Sequence, residues 1–365
     1  MQFKFFLISL YFILFPFYFL PKGSIQIADI FGIILILISL NDIIFNILKS
    51  HIFKILLIFI IYSFVVNLVW SLVLENPILL KNSLNYLYCY LLVIALSSLF
   101  NNSKNLRFLY NVILFSVLIQ LSLFFLNQGS NGLRIALFFN NPNQLALWSV
   151  NLLVIFNVIS HKLKFNYLKK IFLSIIATFF GLISLSKTVL VVFIFYWFYI
   201  FMNKKFIISK TLFILFLGLI IYNYSSHFEN FKLIQNVIVR LESDNTADDT
   251  LEGRGFDRII NHKEYLIFGA GEGLYDRFNS KYNGEIHSSF FNILFSYGII
   301  SSFLFFLFLI QLIKGKTKYS SLKYILLICL FVFSLGHFTL RIPYYWFALI
   351  SINFLNINFN KKNLS

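Results

Sequence analysis

Charge is scarce in this chain, and acidic charge scarcest: 12% of its 365 residues are charged, with 14 Asp and Glu against 30 Lys and Arg. Soluble domains carry about twice that share, so the composition excludes a chain of water-soluble domains. Cysteine is nearly absent. Cys89 and Cys329 both lie inside apolar runs, reading as small buried thiols that supply neither a disulfide framework nor a metal site. No metal-ligand or catalytic-triad spacing appears, nor any internal repeat, and no cofactor is called for. What fills the chain is apolar: 59% hydrophobic residues, 49 Phe, 20 Tyr and a mean hydropathy of +0.82. Apolar runs of roughly 17 to 25 residues, each about the length that crosses a hydrocarbon layer, recur from end to end. The reading is an all-α polytopic transmembrane protein. The net charge of +16 does not argue for nucleic acid, because the basic residues fall in short clusters between apolar runs, where membrane orientation accounts for them.

About twelve helices are expected, beginning near Phe3, Ile27, Ile52, Leu84, Leu106, Gln144, Leu168, Thr188, Phe206, Ser289, Tyr324 and Tyr344. The first run lacks a small-residue cleavage site, and Pro16 and Pro21 sit near its exit, so it reads as a retained span. The stretch from Leu168 to Met202 makes two short spans only if Ser184, Ser186, Lys187 and Thr188 form a tight turn.

Alternating the connections between the two sides separates the basic residues sharply. One set of loops with both termini holds eighteen Lys and Arg, whereas the opposite short loops hold five: Lys22, Lys81, Arg134, Lys187 and Arg341. By the positive-inside rule both termini are cytoplasmic. The organisation expected is residues 1–223 with nine spans, a large outer loop at 224–287, and three further spans in 288–365. Eleven of the fourteen acidic residues fall in that loop, which is the soluble-like piece. Phe231, Ile234, Ile238 and Leu241, then Phe256, Ile259 and Ile260, recur at helical spacing and predict two short surface helices.

Arginine is distributed unevenly. Seventeen of the eighteen inner basic residues are Lys, while six of the twelve outer ones are Arg: Arg134, Arg240, Arg254, Arg258, Arg277 and Arg341. Lys suffices for topology, whereas a planar fork of donors that stays charged suits a phosphate or carboxylate. Some of these Arg have acids of the same loop to pair with; Arg134 and Arg341 have none in theirs. A cationic outer pocket for an anionic, membrane-tethered ligand follows as the physical expectation.

Other patterns carry less. Asp244, Asp248, Asp249 and Glu252 miss the spacings of a calcium loop, and Gly269-Ala270-Gly271-Glu272-Gly273 lacks the dinucleotide-binding pattern and reads as a tight connection. His51 and His161 fall among inner lysines; His227 and His262 read as exposed loop residues. His287 differs, standing just before Ser288 and Ser289 at a helix start that favours anions.

Taken in order, these outer residues resemble the O-antigen ligase and O-antigen polymerase superfamily of bacterial envelope enzymes. The resemblance rests on Asn140-Asn141-Pro142-Asn143, Ser186-Lys187-Thr188, Arg240, Glu252-Gly253-Arg254, Phe268 to Gly273, and His287-Ser288-Ser289-Phe290 running to Gly298. It spans about residues 134–302. Lys187 stands where many members have Arg, and Arg258 where ligases commonly have an aromatic, which favours a polymerase over a ligase.

The resemblance implies a helical membrane fold akin to lipid-dependent (GT-C-like) glycosyltransferases, in a bacterial inner membrane with the large loop periplasmic. The implied activity joins glycan repeat units carried on undecaprenyl pyrophosphate, or alternatively transfers a finished glycan to lipid A core, without a metal. A regulator of chain length is an implied partner beside the bilayer. Arg254 and Arg240 would hold the pyrophosphate, with Arg134, Lys187 and Arg341 as auxiliaries. His287 would act as base or phosphate donor, Glu252 as substitute base, and Asn141 and Asn143 would place the lipid head or sugar. A lipid-glycan flippase is the reading from another class, weakened because Asp29, Asp42 and Glu75 all lie near span ends.

Overall fold

A computed structural model describes residues 2–21, 24–126, 134–202, 250–314 and 319–356. Arg240, Lys22, the ninth span from Phe206 and the amphipathic stretch from Phe231 to Leu241 lie outside the described residues. Within them the chain is all-helical, with no strand.

The helices are α1 (Gln2–Leu14), α2 (Ile27–Ile38), α3 (Leu40–Lys49), α4 (His51–Val73), α5 (Ile78–Ser97), α6 (Ser103–Phe125), α7 (Pro142–Lys162), α8 (Tyr167–Ile183), α9 (Lys187–Met202), α10 (Asp257–Asn261), α11 (Ser289–Ile313), α12 (Ser320–Gly336) and α13 (Pro343–Asn353). Each sequence-read start within the described residues falls on one of them. Asparagine sets several of these starts: the Asn102, Asn141 and Asn166 side chains accept from backbone N–H groups three residues on, at 2.8, 3.0 and 2.9 Å. Pro142 follows Asn141 at the first helical position, where its missing donor is no loss.

Length separates the helices. α4, α6, α7, α11 and α5 continued through Phe100 are long and apolar enough to cross a membrane. A sixth crossing arises if α2 and α3, bent by 73° about Ser39, count as one broken span. α1, α9 and α12 are apolar but shorter. Lys4 of α1 bonds Asp42 of α3 at 2.8 Å, tying the bent pair to its neighbour. Phe125, Leu168, Ile194 and Phe303 lie exposed on the outside of the bundle, as expected of a protein whose surround is lipid.

α7 is the centre: every residue from Leu145 to Ser160 is buried, and α8, α13 and α12 pack around it. A helix apolar on all sides belongs in such a place. α4 packs between α5 and α11, and α9 against α12.

Bonds between elements gather one end of the bundle. Asn82 near the start of α5 reaches the Glu272 carbonyl at 2.6 Å, Arg134 ahead of α7 reaches the Ser184 carbonyl after α8 at 3.2 Å, and Ser289 opening α11 meets Thr339 ahead of α13 at 2.9 Å. At the far end of α7, His161 packs on Tyr319 just before α12, with ring centroids 5.0 Å apart. Arg134 and His161 thus lie at opposite ends of α7.

α11 is broken at Gly298 (φ 75°, ψ −177°). The loop following Leu266 docks there: Ala270 N–H donates to the Phe295 carbonyl at 2.9 Å and Gly271 N–H to the Ser296 carbonyl at 2.8 Å. A Cβ on Gly298 would lie 2.2 Å from the Ile267 carbonyl oxygen, and one on Gly269 would lie 2.4 Å from that of Ser296, so both positions need glycine for the approach as well as for positive φ. Trp70 of α4 closes the joint, donating Nε1–H to the Gly269 carbonyl at 2.9 Å. The segment read as a tight connection is therefore a wedge between α4 and α11.

Candidate functional site

The turn between α8 and α9 is tight, as the two-short-span reading required. Leu185 takes a left-handed conformation (φ 50°), and Ser184 Oγ donates to the Gly181 carbonyl at 2.6 Å. Ser186 is thereby held at the start of α9, 3.3 Å through its Oγ from Nε2 of His337. His337 follows α12, and its own carbonyl accepts from Ser289 Oγ at 3.1 Å while Thr339 N–H donates to that same hydroxyl oxygen at 2.9 Å. The residue is thus fixed beside the first turn of α11. Its pKa is pushed down to about 3, by burial first and then by electrostatic coupling to His287, Arg254 and Arg134. A neutral imidazole in a cluster of cations results.

Arg134 bridges two helix ends: its Nε donates to the Ser184 carbonyl and its Nη2 to Asn143 Oδ1 at 2.7 Å. Lys187, the first residue of α9, adjoins Ser186. The N-termini of α7, α9 and α11 all lie in this region, so the partial positive charges of three helix dipoles add to the cationic side chains. Asn143 thus holds Arg134, and the Asn141 side chain caps α7.

The loop adds Arg254 and His287 as neighbours, for His287 N–H donates to the Arg254 carbonyl at 3.1 Å. His287 Nε2 lies 2.8 Å from Tyr282 Oη, with the two rings edge to face. Arg258 secures this arrangement from beneath. It is fully buried, stacked 4.6 Å over Tyr275, and donates Nε to the Gly255 carbonyl and Nη2 to that of Gly284, stapling the chain next to Arg254 to the chain next to His287. Burial lowers its pKa. Arg258 therefore serves the loop's own structure. Arg277 is similar: stacked between Trp70 and Phe278, it donates to the Ala270 carbonyl in the wedge. Glu252 is exposed and paired with Lys281, whose pKa that bond raises. The structure leaves this side chain solvent-exposed, with Lys281 on its carboxylate.

Arg341 has a different setting from the one its loop suggested. It donates Nε and Nη2 to Oε1 of Glu272, at 2.8 and 2.5 Å, and Nη2 also meets Glu285 Oε1 at 2.6 Å. Glu272 is fully buried, and its other oxygen accepts from the hydroxyls of Tyr86 and Tyr297, each at 2.6 Å. Asn67 accepts the Glu272 N–H at 2.8 Å. The Arg341 pKa is subject to burial, which lowers it, but the two carboxylates prevail and raise it well above the usual value. Carboxylates remote along the chain thus occupy the guanidinium that appeared to have no acidic neighbour.

The residues brought together are therefore Arg134, Arg254 and His287, around a Ser186 and His337 pair, with Lys187 next in the chain to Ser186. The sequence reading passed over His337 and Tyr282, and treated Glu272 as part of a turn. A basic ring opposite the Ser-Lys-Thr turn has no local signature; the short loop from Gly336 to Ile342, holding both His337 and Arg341, was the available hint. Among the described residues no three His, Cys, Asp or Glu gather so as to hold a metal ion. Fold and site define an all-helical protein with membrane-length apolar helices and a cationic cluster at one end of the bundle. Searches of protein-family models and of curated proteins find no match to the chain.

Proposed function

We propose that this protein is a bacterial inner-membrane glycosyltransferase that joins glycan repeat units carried on undecaprenyl pyrophosphate, at the periplasmic face. The observation carrying this reading is the convergence of Arg134, Arg254 and His287 on His337, beside three helix N-termini, at the end of an apolar bundle. Such a site favours an anion whose tail lies in lipid.

In the reaction proposed, an acceptor hydroxyl attacks the anomeric carbon, a new glycosidic C–O bond forms, and the C–O bond to the lipid diphosphate breaks. The hydroxyl proton passes to His287, oriented by Tyr282. Negative charge grows on the departing diphosphate, where Arg254 and Arg134 stabilise it, with roughly a few kcal/mol expected from each well-placed group. Lys187 adds charge. Arg240 belongs to the same proposal by resemblance. Arg341 is withdrawn from the phosphate contacts because Glu272 and Glu285 engage it.

Purified protein given lipid-linked repeat units alone tests this. A ladder of longer lipid-linked glycans is expected. Transfer that requires lipid A core would replace the polymerase reading with the ligase one, and glycan translocation into vesicles without new linkages would replace both with transport. The polymerase is preferred to the ligase by resemblance, because Arg258 stands where ligases commonly have an aromatic.

A further inference from the structure

The segment bearing His287 is attached to the membrane helices through a charged relay. Its members are Glu272, Arg341 and Glu285, and the two ends differ in character. The Glu272 end is sealed: the carboxylate is fully buried and receives Tyr86 of α5, Tyr297 of α11 and Arg341 together. The Glu285 end is partly open, with 31% of the Glu285 side chain and 25% of the Arg341 side chain exposed. Glu285 precedes His287 by two residues. The backbone around it is held elsewhere: Arg258 Nη2 meets the Gly284 carbonyl at 2.7 Å, Ile286 N–H meets Asn292 Oδ1 at 3.2 Å, and His287 N–H meets the Arg254 carbonyl. The Glu285 carboxylate links this strip to α13's approach and, through Glu272, to α5 and α11.

We propose that Arg341 is a positioning residue: by gripping Glu272 through Nε and Nη2 and Glu285 through the same Nη2, it sets the 284–288 segment, and with it the His287 imidazole, against the membrane helices. Rigid placement matters because small displacements of a reacting group cost large factors in rate. A fork can engage two carboxylates at once; an ammonium is a point charge. The assignment of a catalytic consequence rests on the function proposed above. The mechanical link does not.

Two readouts separate them. In lipid nanodiscs, hydrogen exchange of peptides covering 284–288 is measured for wild type, Glu285→Gln, Arg341→Lys and the double variant. Each single substitution is expected to speed exchange at least tenfold there while leaving α7 peptides unchanged, and the double variant is expected to be no worse than either single, since both remove one contact. Turnover of lipid-linked repeat units purified from the host is expected to fall at least tenfold in both singles with donor KM within twofold. Exchange unchanged in Glu285→Gln, or independent additive effects in the double variant, overturns the relay. Faster exchange in the variants of a wild-type protein that makes no glycan ladder supports the relay and removes the function reading alone.

Discussion

The Ser186 hydroxyl and His337 Nε2 stand 3.3 Å apart across 151 residues of chain. One belongs to the turn that opens α9, the other to the exit of α12, and the close passage of these helices makes the meeting possible: a Cβ on Gly336 would come within 2.5 Å of Thr188 Oγ1. The contact joins a turn identified by its sequence to a histidine that sequence did not single out. It also places an uncharged hydrogen-bonding pair within a group of cations, so hydroxyl and anion recognition can occur side by side.

That setting makes stability depend on pH in a definite sense. His337 binds its proton less readily in the folded chain, near pH 3, than in the unfolded one, near 6.5. Acid therefore favours unfolding: the stability His337 contributes is complete above about pH 6.5 and is lost as pH falls from there toward 3. His337→Gln, which cannot take up the proton, is expected to flatten the fall of Tm across this window in nanodisc melts. An unchanged slope in the variant would mean that His337 is readily protonated in the folded protein.

Arg254→Lys is expected to lose roughly a hundredfold or more of transfer activity, nearly as much as Arg254→Ala, because a point charge does not reproduce a bidentate contact with phosphate oxygens. His287→Ala should abolish chain growth while the protein still inserts. Glycan ladder length on gels checks both. Near-normal activity in the Lys variant would remove the fork from the argument, and a normal ladder in His287→Ala would remove that imidazole from the chemistry.

The buried carboxylate supplies a stability prediction independent of any reaction. Arg341→Ala leaves Glu272 buried and without its cation, a change expected to cost roughly 3–5 kcal/mol. Tyr86→Phe or Tyr297→Phe removes one hydroxyl and should cost about 1–3 kcal/mol. Thermal unfolding in detergent measures the order, and a Tyr86→Phe variant less stable than Arg341→Ala would contradict the assigned roles.

How far these features can be read from sequence follows from how local their causes are. Helices announce themselves because lipid contact demands continuous apolar runs, and Asn141-Pro142 marks a start through one hydrogen bond and one ring. The tight turn at Ser184 to Thr188 is equally local. Crossing length is less so: α2 and α3 read as one run but bend at Ser39, and α9 and α12 stop short of the long helices. Glu272 was hidden because its partners Tyr86, Tyr297 and Arg341 stand 186, 25 and 69 residues away. Counting acids within a loop could not reveal that Arg341 already had two. The Gly-rich segment was legible as a special backbone, yet its docking against the break at Gly298 needs both chains in view.

The two-ended arrangement of the bundle gives the remaining prediction. Both native thiols, Cys89 and Cys329, are buried, so single cysteines introduced at exposed positions report without a large background. Glu264 accompanies the loop at the cationic end, whereas Lys54 lies near the start of α4, at the other end of the helix from Trp70 and the wedge. A membrane-impermeant maleimide applied to intact inner-membrane-exposed cells should label Glu264→Cys at once and Lys54→Cys only after permeabilisation. The reverse pattern would put the cationic cluster in the cytosol, where lipid-linked repeat units are assembled, and would turn the argument against polymerisation. Labelling of both positions from one side would be more damaging still, because it would mean that the long helices lie along the membrane instead of through it.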